Sequence, residues 1–146
     1  MKGVVSKGSY SFELRRNMKK TDGKKILIVE DENALLGFLT SKFKKEGFSV
    51  LQARDGEKGL ITALQEHPDI ILLDIVMPRM DGMTMLAKLR KDSWGKSVPV
   101  ILLTNLSDSE KISQALELGT FEYLVKADWA IEDIVAKVRK QLENAL

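Results

Sequence analysis

The chain has 146 residues, of which 44% are hydrophobic and 30% charged, and it contains no cysteine and a single histidine. This length favours one domain with a proper hydrophobic core. The missing cysteines exclude a disulfide scaffold, thiolate metal sites and thiol catalysis. No apolar stretch is long enough for a membrane span, and the N-terminus lacks the apolar region of a secretory signal. We therefore predict a cytoplasmic protein without membrane contact.

Positive charge is concentrated at the N-terminus. Residues 1–25 contain eight lysine and arginine residues and two acidic residues, whereas the rest of the chain has a net charge of −4. Because the apolar residues of this segment show no clear period, we predict a disordered basic leader over residues 1–24 and a folded domain over residues 25–146. A tail that binds nucleic acid or an anionic membrane is the alternative. Nucleic acid is disfavoured because few aromatic residues accompany the charges.

From Lys25 onward, short apolar runs alternate with longer amphipathic segments. In chain order, the pattern predicts a strand at 26–29, a helix that ends at Gly47, a strand at 48–53 and a helix at 55–66. It then predicts a strand at 70–73, a helix at 83–91, a strand at 98–103 and a helix at 107–118. A strand at 121–125 and a final helix capped by Asp128 complete the chain.

Three of these helices have a predicted inward face. The faces consist of Leu35, Leu36, Leu39 and Phe43 in the first helix, Leu60, Ile61 and Leu64 in the second, and Ile131, Ile134, Val135, Val138 and Leu142 in the last. Five strands that alternate with five helices predict an α/β fold, a three-layer sandwich in which helices cover both faces of a parallel sheet.

Polar residues follow four of the predicted strands at the point where each strand ends. These residues are Glu30 and Asp31, Asp74, Thr104 and Lys126. Ligands of open α/β sheets bind beyond the carboxyl ends of the strands, so these side chains are expected to converge. Clustered carboxylates favour a hard divalent cation such as Mg2+. A carboxylate can attack a phosphoryl group, and a hydroxyl and an ammonium group can bind its oxygens.

Each of these residues also has a simpler interpretation when it is taken alone. Asp74 is compatible with a turn after a strand, and the Glu30–Asp31 pair with a helix cap. Thr104 and Lys126 carry little information by themselves, since a lysine at a strand end is usually a solvated charge. Their joint placement at successive strand ends favours a phosphoryl-acceptor site over these separate interpretations.

Four segments, ILIVEDE at 26–32, DIVMPRMDG at 74–82, LT at 103–104 and YLVK at 123–126, together resemble the receiver domain of bacterial two-component response regulators. The resemblance covers about residues 25–145 and implies a flavodoxin-like sheet in strand order 2-1-3-4-5. It implies that Asp74 is the phosphoacceptor, and that Mg2+ is held by Glu30, Asp31, Asp74 and the Val76 backbone carbonyl. It further implies that Thr104 and Lys126 bind the phosphoryl group and that Tyr123 is the aromatic switch residue.

The sequence departs from the family pattern at three places. Ala127 stands where the family usually has a proline after a cis peptide bond, so we predict a trans bond there. Asn105 occupies a position that is usually small, which is expected to restrict access to the phosphoryl group. Val76 and Leu106 are both apolar, and our hypothesis is that they slow the approach of hydrolytic water.

The resemblance implies a signalling switch rather than an enzyme. A histidine kinase or a phosphotransfer protein would supply the phosphoryl group. A downstream protein would read the surface formed by the fourth helix, the fifth strand and the fifth helix, with a homodimer as a possible active form. Two alternatives stay open: a receiver-like scaffold that is read independently of phosphorylation, and a Mg2+-dependent phosphatase. The second is disfavoured because Val76 stands where such enzymes place a second aspartate.

Overall fold

The computed structural model describes residues 22–104, 109–119, 122–125 and 130–145. Five strands alternate with five helices along these residues. Their bounds in chain order are β1 (Lys25–Val29), α1 (Asn33–Lys45), β2 (Ser49–Ala53), α2 (Gly56–Glu66), β3 (Ile70–Asp74), α3 (Gly82–Lys91), β4 (Val100–Thr104), α4 (Ser109–Glu117), β5 (Glu122–Val125) and α5 (Ile131–Ala145).

The five strands form one parallel sheet in the order β2-β1-β3-β4-β5. The central strands are continuous apolar runs that are buried on both faces, as expected of a parallel sheet covered by helices. The predicted α/β fold and its strand order are therefore confirmed. Because all the strands are parallel, their carboxyl ends lie at one edge of the sheet, where the predicted site residues follow them.

Side chains of each strand point alternately to the two faces of the sheet and divide the core into two clusters. Ile26 and Ile28 of β1 belong to the cluster that also contains apolar residues of α1 and α5. Leu27 and Val29 belong to the cluster that contains apolar residues of α2, α3 and α4. The sheet is thus the middle of three layers. The inward faces predicted for α1 and α5 are confirmed by these contacts.

The inward face predicted for α2 is wrong at two positions. Ile61 and Leu64 are exposed, at 50% and 37%, while Gly59 and Ala63 are buried against the sheet. The reason is that α2 packs very closely: a Cβ atom on Gly59 would lie 2.9 Å from the Met85 sulfur. Small residues therefore form the inward stripe, and two larger apolar side chains of the same helix face solvent.

The helix ends show how local chemistry sets the loops next to the site. The Asp55 carboxylate accepts a hydrogen bond from the Lys58 N–H at the start of α2, and Asp81 accepts one from Thr84 at the start of α3. Gly47 follows α1 with a φ of +97°, in the left-handed region that favours glycine. Asp128, the predicted cap of α5, lies outside the described residues.

Arg90 connects the end of α3 to the end of α4. Its guanidinium group donates hydrogen bonds to the carbonyls of Leu118 and Gly119, at 2.5 and 2.9 Å, and to those of Gly95 and Val98, at 2.7 and 2.8 Å. A cation that binds the last carbonyls of a helix also interacts favourably with the helix dipole. The C-terminal end of α4 is therefore fixed to the rest of the domain.

In the part of the chain that the structure describes, no helix is both long and apolar enough to span a membrane.

Candidate metal and phosphoryl-acceptor site

Three carboxylates meet at the carboxyl edge of the sheet. Glu30 and Asp31 directly follow β1, and Asp74 is the last residue of β3, which pairs with β1. One carboxylate oxygen from each residue lies within 4.8 Å of the other two. The structure thus brings together the three acidic residues that the strand-end argument selected.

The acidic cluster is largely shielded from solvent. Glu30 is fully buried and Asp74 is 4% exposed, while Asp31 is partly exposed. The Glu30 carboxylate accepts a hydrogen bond from the Glu32 backbone N–H at 3.1 Å, which orients this side chain toward the turn that follows β1. The N-cap residue of α1 is Glu32, so neither Glu30 nor Asp31 occupies the capping position. The helix-cap interpretation of the acidic pair is therefore wrong.

The electrostatics of this arrangement favour a divalent cation. Within 4.8 Å of each other, and at an effective dielectric constant of about 20, two ionised carboxylates repel each other by about 3.5 kcal/mol or more. A divalent cation among the three oxygens attracts each carboxylate, and these attractions outweigh the repulsion. The donor set contains only oxygen atoms, which suits a hard ion such as Mg2+. The residues present therefore fit a magnesium ion.

The loop between β3 and α3 turns sharply behind the Asp74 main chain. The Gly82 N–H donates a hydrogen bond to the Ile75 carbonyl at 2.7 Å and closes the loop. A Cβ atom at Gly82 would overlap the Asp74 carbonyl oxygen, so a residue without a side chain is required at this close approach. Val76 follows at the surface with 63% exposure, and Met77 returns to the core.

The remaining predicted residues lie on or beyond β4 and β5. In the register of the sheet, Leu103 is opposite Asp74 and the next residue, Thr104, ends β4 opposite Val125. Tyr123 lies in β5 opposite Leu102. Lys126 directly follows β5 and is outside the described residues, as are Asn105, Leu106 and Ala127. The backbone thus places Thr104 at the same edge of the sheet as Asp74, and β5 ends there one residue before Lys126.

Sequence reasoning missed a contact between the β3–α3 loop and the start of α2. An Arg79 guanidinium nitrogen lies 3.1 Å from a carboxylate oxygen of Asp55, which is 1% exposed. The hydrogen bond from the Lys58 N–H, together with the charge of Arg79, lowers the pKa of Asp55 and outweighs the burial that raises it. The sequence does indicate a helix start at Asp55–Gly56, directly after a strand. Nothing in the sequence indicates that Asp55 pairs with Arg79, 24 residues later.

The comparisons with known proteins agree with this geometry. The chain is 36% identical over 120 residues to the DNA-binding dual master transcriptional regulator RpaA of Synechocystis sp., an alignment that covers 82% of this chain and 49% of the relative. The chain spans about half the length of the curated relatives that it matches first.

Solved structures match over nearly their whole length. The Francisella response regulator 1452 receiver domain has a TM-score of 0.78 and 28% identity, with 85% of this chain and all of that chain covered. The receiver domain of a Pseudomonas aeruginosa sensor histidine kinase has a TM-score of 0.76 and 25% identity, with 83% and 98% covered, and a magnesium ion is coordinated in its active site cleft. The sequence profile described as "Response regulator receiver domain" matches residues 26–139. This chain therefore belongs to the response regulator receiver domain family.

Proposed function

We propose that the chain is a phosphoacceptor switch of a two-component system, in which Asp74 accepts a phosphoryl group from a histidine kinase or a phosphotransfer protein. The observation that carries this proposal is the cluster of Glu30, Asp31 and Asp74, whose oxygens lie within 4.8 Å of one another at the carboxyl edge of the sheet. Glu30, Asp31, Asp74 and the backbone carbonyl of Val76 would hold Mg2+. When bound, the ion would neutralise charge on the phosphoryl oxygens.

The reaction transfers a phosphoryl group from a donor to the Asp74 carboxylate. A carboxylate oxygen of Asp74 forms a bond to phosphorus, and the bond from phosphorus to the leaving group breaks, so that an acyl phosphate and a free leaving group result. The leaving group is the imidazole of a phosphohistidine or, with a small donor, a carboxylate such as acetate. Because this chemistry requires mainly position and charge neutralisation, the acidic cluster would supply the nucleophile and the carboxylate ligands of the neutralising ion.

The residues of β4 and β5 would convert the added charge into a signal. We propose that the Thr104 hydroxyl and the Lys126 ammonium group bind phosphoryl oxygens, and that Tyr123 changes position with Thr104. The surface of α4, β5 and α5 would then contact a downstream protein or a second copy of the chain. This role needs no catalytic turnover, so the chain acts as a signalling protein rather than as an enzyme.

The test is incubation of the full chain with Mg2+ and acetyl phosphate, followed by intact-mass measurement. We expect a gain of one phosphoryl group that requires Mg2+ and disappears in Asp74→Asn. The matched control is Asp81→Asn, because Asp81 lies in the same loop but caps α3 with its side chain, and asparagine retains the cap. This variant is expected to be phosphorylated like the wild-type chain.

The two alternatives give different results in the same experiment. Absence of any adduct in the wild-type chain would favour a scaffold that is read independently of phosphorylation. Release of inorganic phosphate over many turnovers would favour a phosphatase. We expect neither, because the acidic cluster is present and the residue two positions after Asp74 is Val76, which has no acid or base to activate water.

A further inference from the structure

The β3–α3 loop is closed by a hydrogen bond between its ends, and its side chains are partly buried and partly exposed. The hydrogen bond from Gly82 to the Ile75 carbonyl closes it, at 2.7 Å, and Met77 is buried in the core. Val76 and Arg79, by contrast, have side chains exposed at 63% and 68%. In the proposed function this loop supplies a backbone carbonyl to Mg2+, so the position of its backbone matters for metal binding.

Two adjacent residues of the loop contact two adjacent residues at the start of α2. Arg79 pairs with Asp55 at 3.1 Å, and the Gly56 N–H donates a hydrogen bond to the Met80 carbonyl at 2.9 Å. A Cβ atom on Gly56 would overlap that carbonyl, so α2 and the loop are in direct backbone contact. Asp55 is buried and also caps α2 through Lys58, which makes it a rigid anchor.

The backbone of Arg79 indicates that its side chain has a role. Its φ is +65°, in the left-handed region, where a side chain costs free energy and glycine does not. A favourable contact of the arginine side chain would offset this cost. The hydrogen bond from its guanidinium to a buried carboxylate is such a contact, since charge-assisted hydrogen bonds are the stronger ones.

We propose that Arg79 is a positioning residue for the magnesium site: its ion pair with Asp55 holds the β3–α3 loop against α2 and thereby fixes the backbone around Val76. This inference rests on the proposed function. Arg79 would then affect the affinity for Mg2+ although it is not one of the proposed metal ligands.

Positioning and simple electrostatics predict opposite results for the loss of Arg79. Removing a positive charge near a cation site strengthens binding of the cation when only Coulomb's law acts. Loss of a residue that positions a ligand weakens binding, as for the supporting residues of other metal sites. The sign of the change in Mg2+ affinity therefore distinguishes the two effects.

Substitution by glycine separates positioning from stability. Arg79→Gly removes the ion pair and also the unfavourable left-handed side chain, so its free energy of unfolding is expected to stay near that of the wild-type chain. Arg79→Lys retains the charge but lacks the planar fork of arginine, and is expected to restore part of the affinity. Arg54→Ala is the matched control, because Arg54 is an exposed arginine directly before Asp55.

The experiment is a Mg2+ titration of the full chain, followed by the NMR shifts of the loop amides, with urea unfolding of each variant. We expect Arg79→Gly to raise the dissociation constant for Mg2+ about three- to tenfold, less than for a buried supporting residue because the pair is exposed on one side. Arg54→Ala is expected to leave the constant unchanged or slightly lower.

An equal or lower constant in Arg79→Gly, with saturable Mg2+ binding by the wild-type chain, would overturn this inference alone. A wild-type chain without saturable Mg2+ binding would overturn the proposed metal site, and the inference with it. A positioning role would also be refuted if Arg79→Gly and Arg54→Ala raised the dissociation constant for Mg2+ and lost stability to the same extent.

Discussion

Gly82 begins α3 directly behind the main chain of the proposed phosphoacceptor, and replacing it with alanine tests how tightly this geometry is set. A Cβ atom there would lie 2.9 Å from the Ile75 Cα atom and would overlap the Asp74 carbonyl oxygen. Ordinary contacts between carbon atoms are about 3.5–4.0 Å. The backbone must therefore move by roughly 0.6–1.1 Å, and no flexible side chain is available to yield instead.

This movement is expected to reduce both stability and phosphorylation. Overpacking costs about 1–3 kcal/mol, and a displacement of about 1 Å at a reacting group can lower a rate about a hundredfold. Gly37→Ala is the control, because Gly37 lies within α1 and no atom is within 4 Å of its added Cβ. That variant is expected to gain about 1 kcal/mol of stability from helix propensity alone and to be phosphorylated at the wild-type rate.

The assays are urea unfolding and the initial rate of phosphorylation by acetyl phosphate with Mg2+, measured by intact mass. Retention of the wild-type rate by Gly82→Ala would refute this prediction, because the close approach to Asp74 would then place no constraint on the site. Equal losses of rate in Gly82→Ala and Gly37→Ala would equally refute it.

Two further predictions concern Asp55 and Val76. Folding lowers the pKa of Asp55 from its ordinary value of 3.8, so its carboxylate stabilises the fold above that pH and loses this effect as the pH falls further. We expect Asp55→Ala to lose about 1–2 kcal/mol at neutral pH, and a deficit in urea unfolding that does not shrink in acid would contradict this. Val76→Asn places a polar amide beside the proposed acyl phosphate and is expected to shorten its lifetime by up to about tenfold. Val76→Leu is the apolar control, and equal lifetimes of the asparagine variant and the wild-type chain would remove the hypothesis.

Much of the fold could be predicted because strands of a parallel sheet are recognisable as continuous apolar runs. The predicted start of β4 lies two residues before the observed start at Val100, and the predicted start of α4, at position 107, lies outside the described residues. Apolar periodicity marks which residues face inward but does not mark where hydrogen bonding begins. The error at Ile61 and Leu64 has another origin. The inward stripe of α2 consists of glycine and alanine, which hydrophobicity does not distinguish from loop residues.

One part of the candidate site could be predicted from the sequence, and another part could not. Glu30, Asp31 and Asp74 could be found because each follows a strand, and parallel strands bring their carboxyl ends to one edge. The Arg79–Asp55 contact joins residues 24 positions apart that share no period and no element. The contact lies at the start of a helix that packs closely through Gly59 and Ala63, and hydrophobic periodicity does not predict that packing. We expect these small residues to bring the start of α2 near enough to the loop for Gly56 to contact the Met80 carbonyl. For this reason a larger residue at position 59 should disturb metal binding from a distance, through the helix rather than through charge.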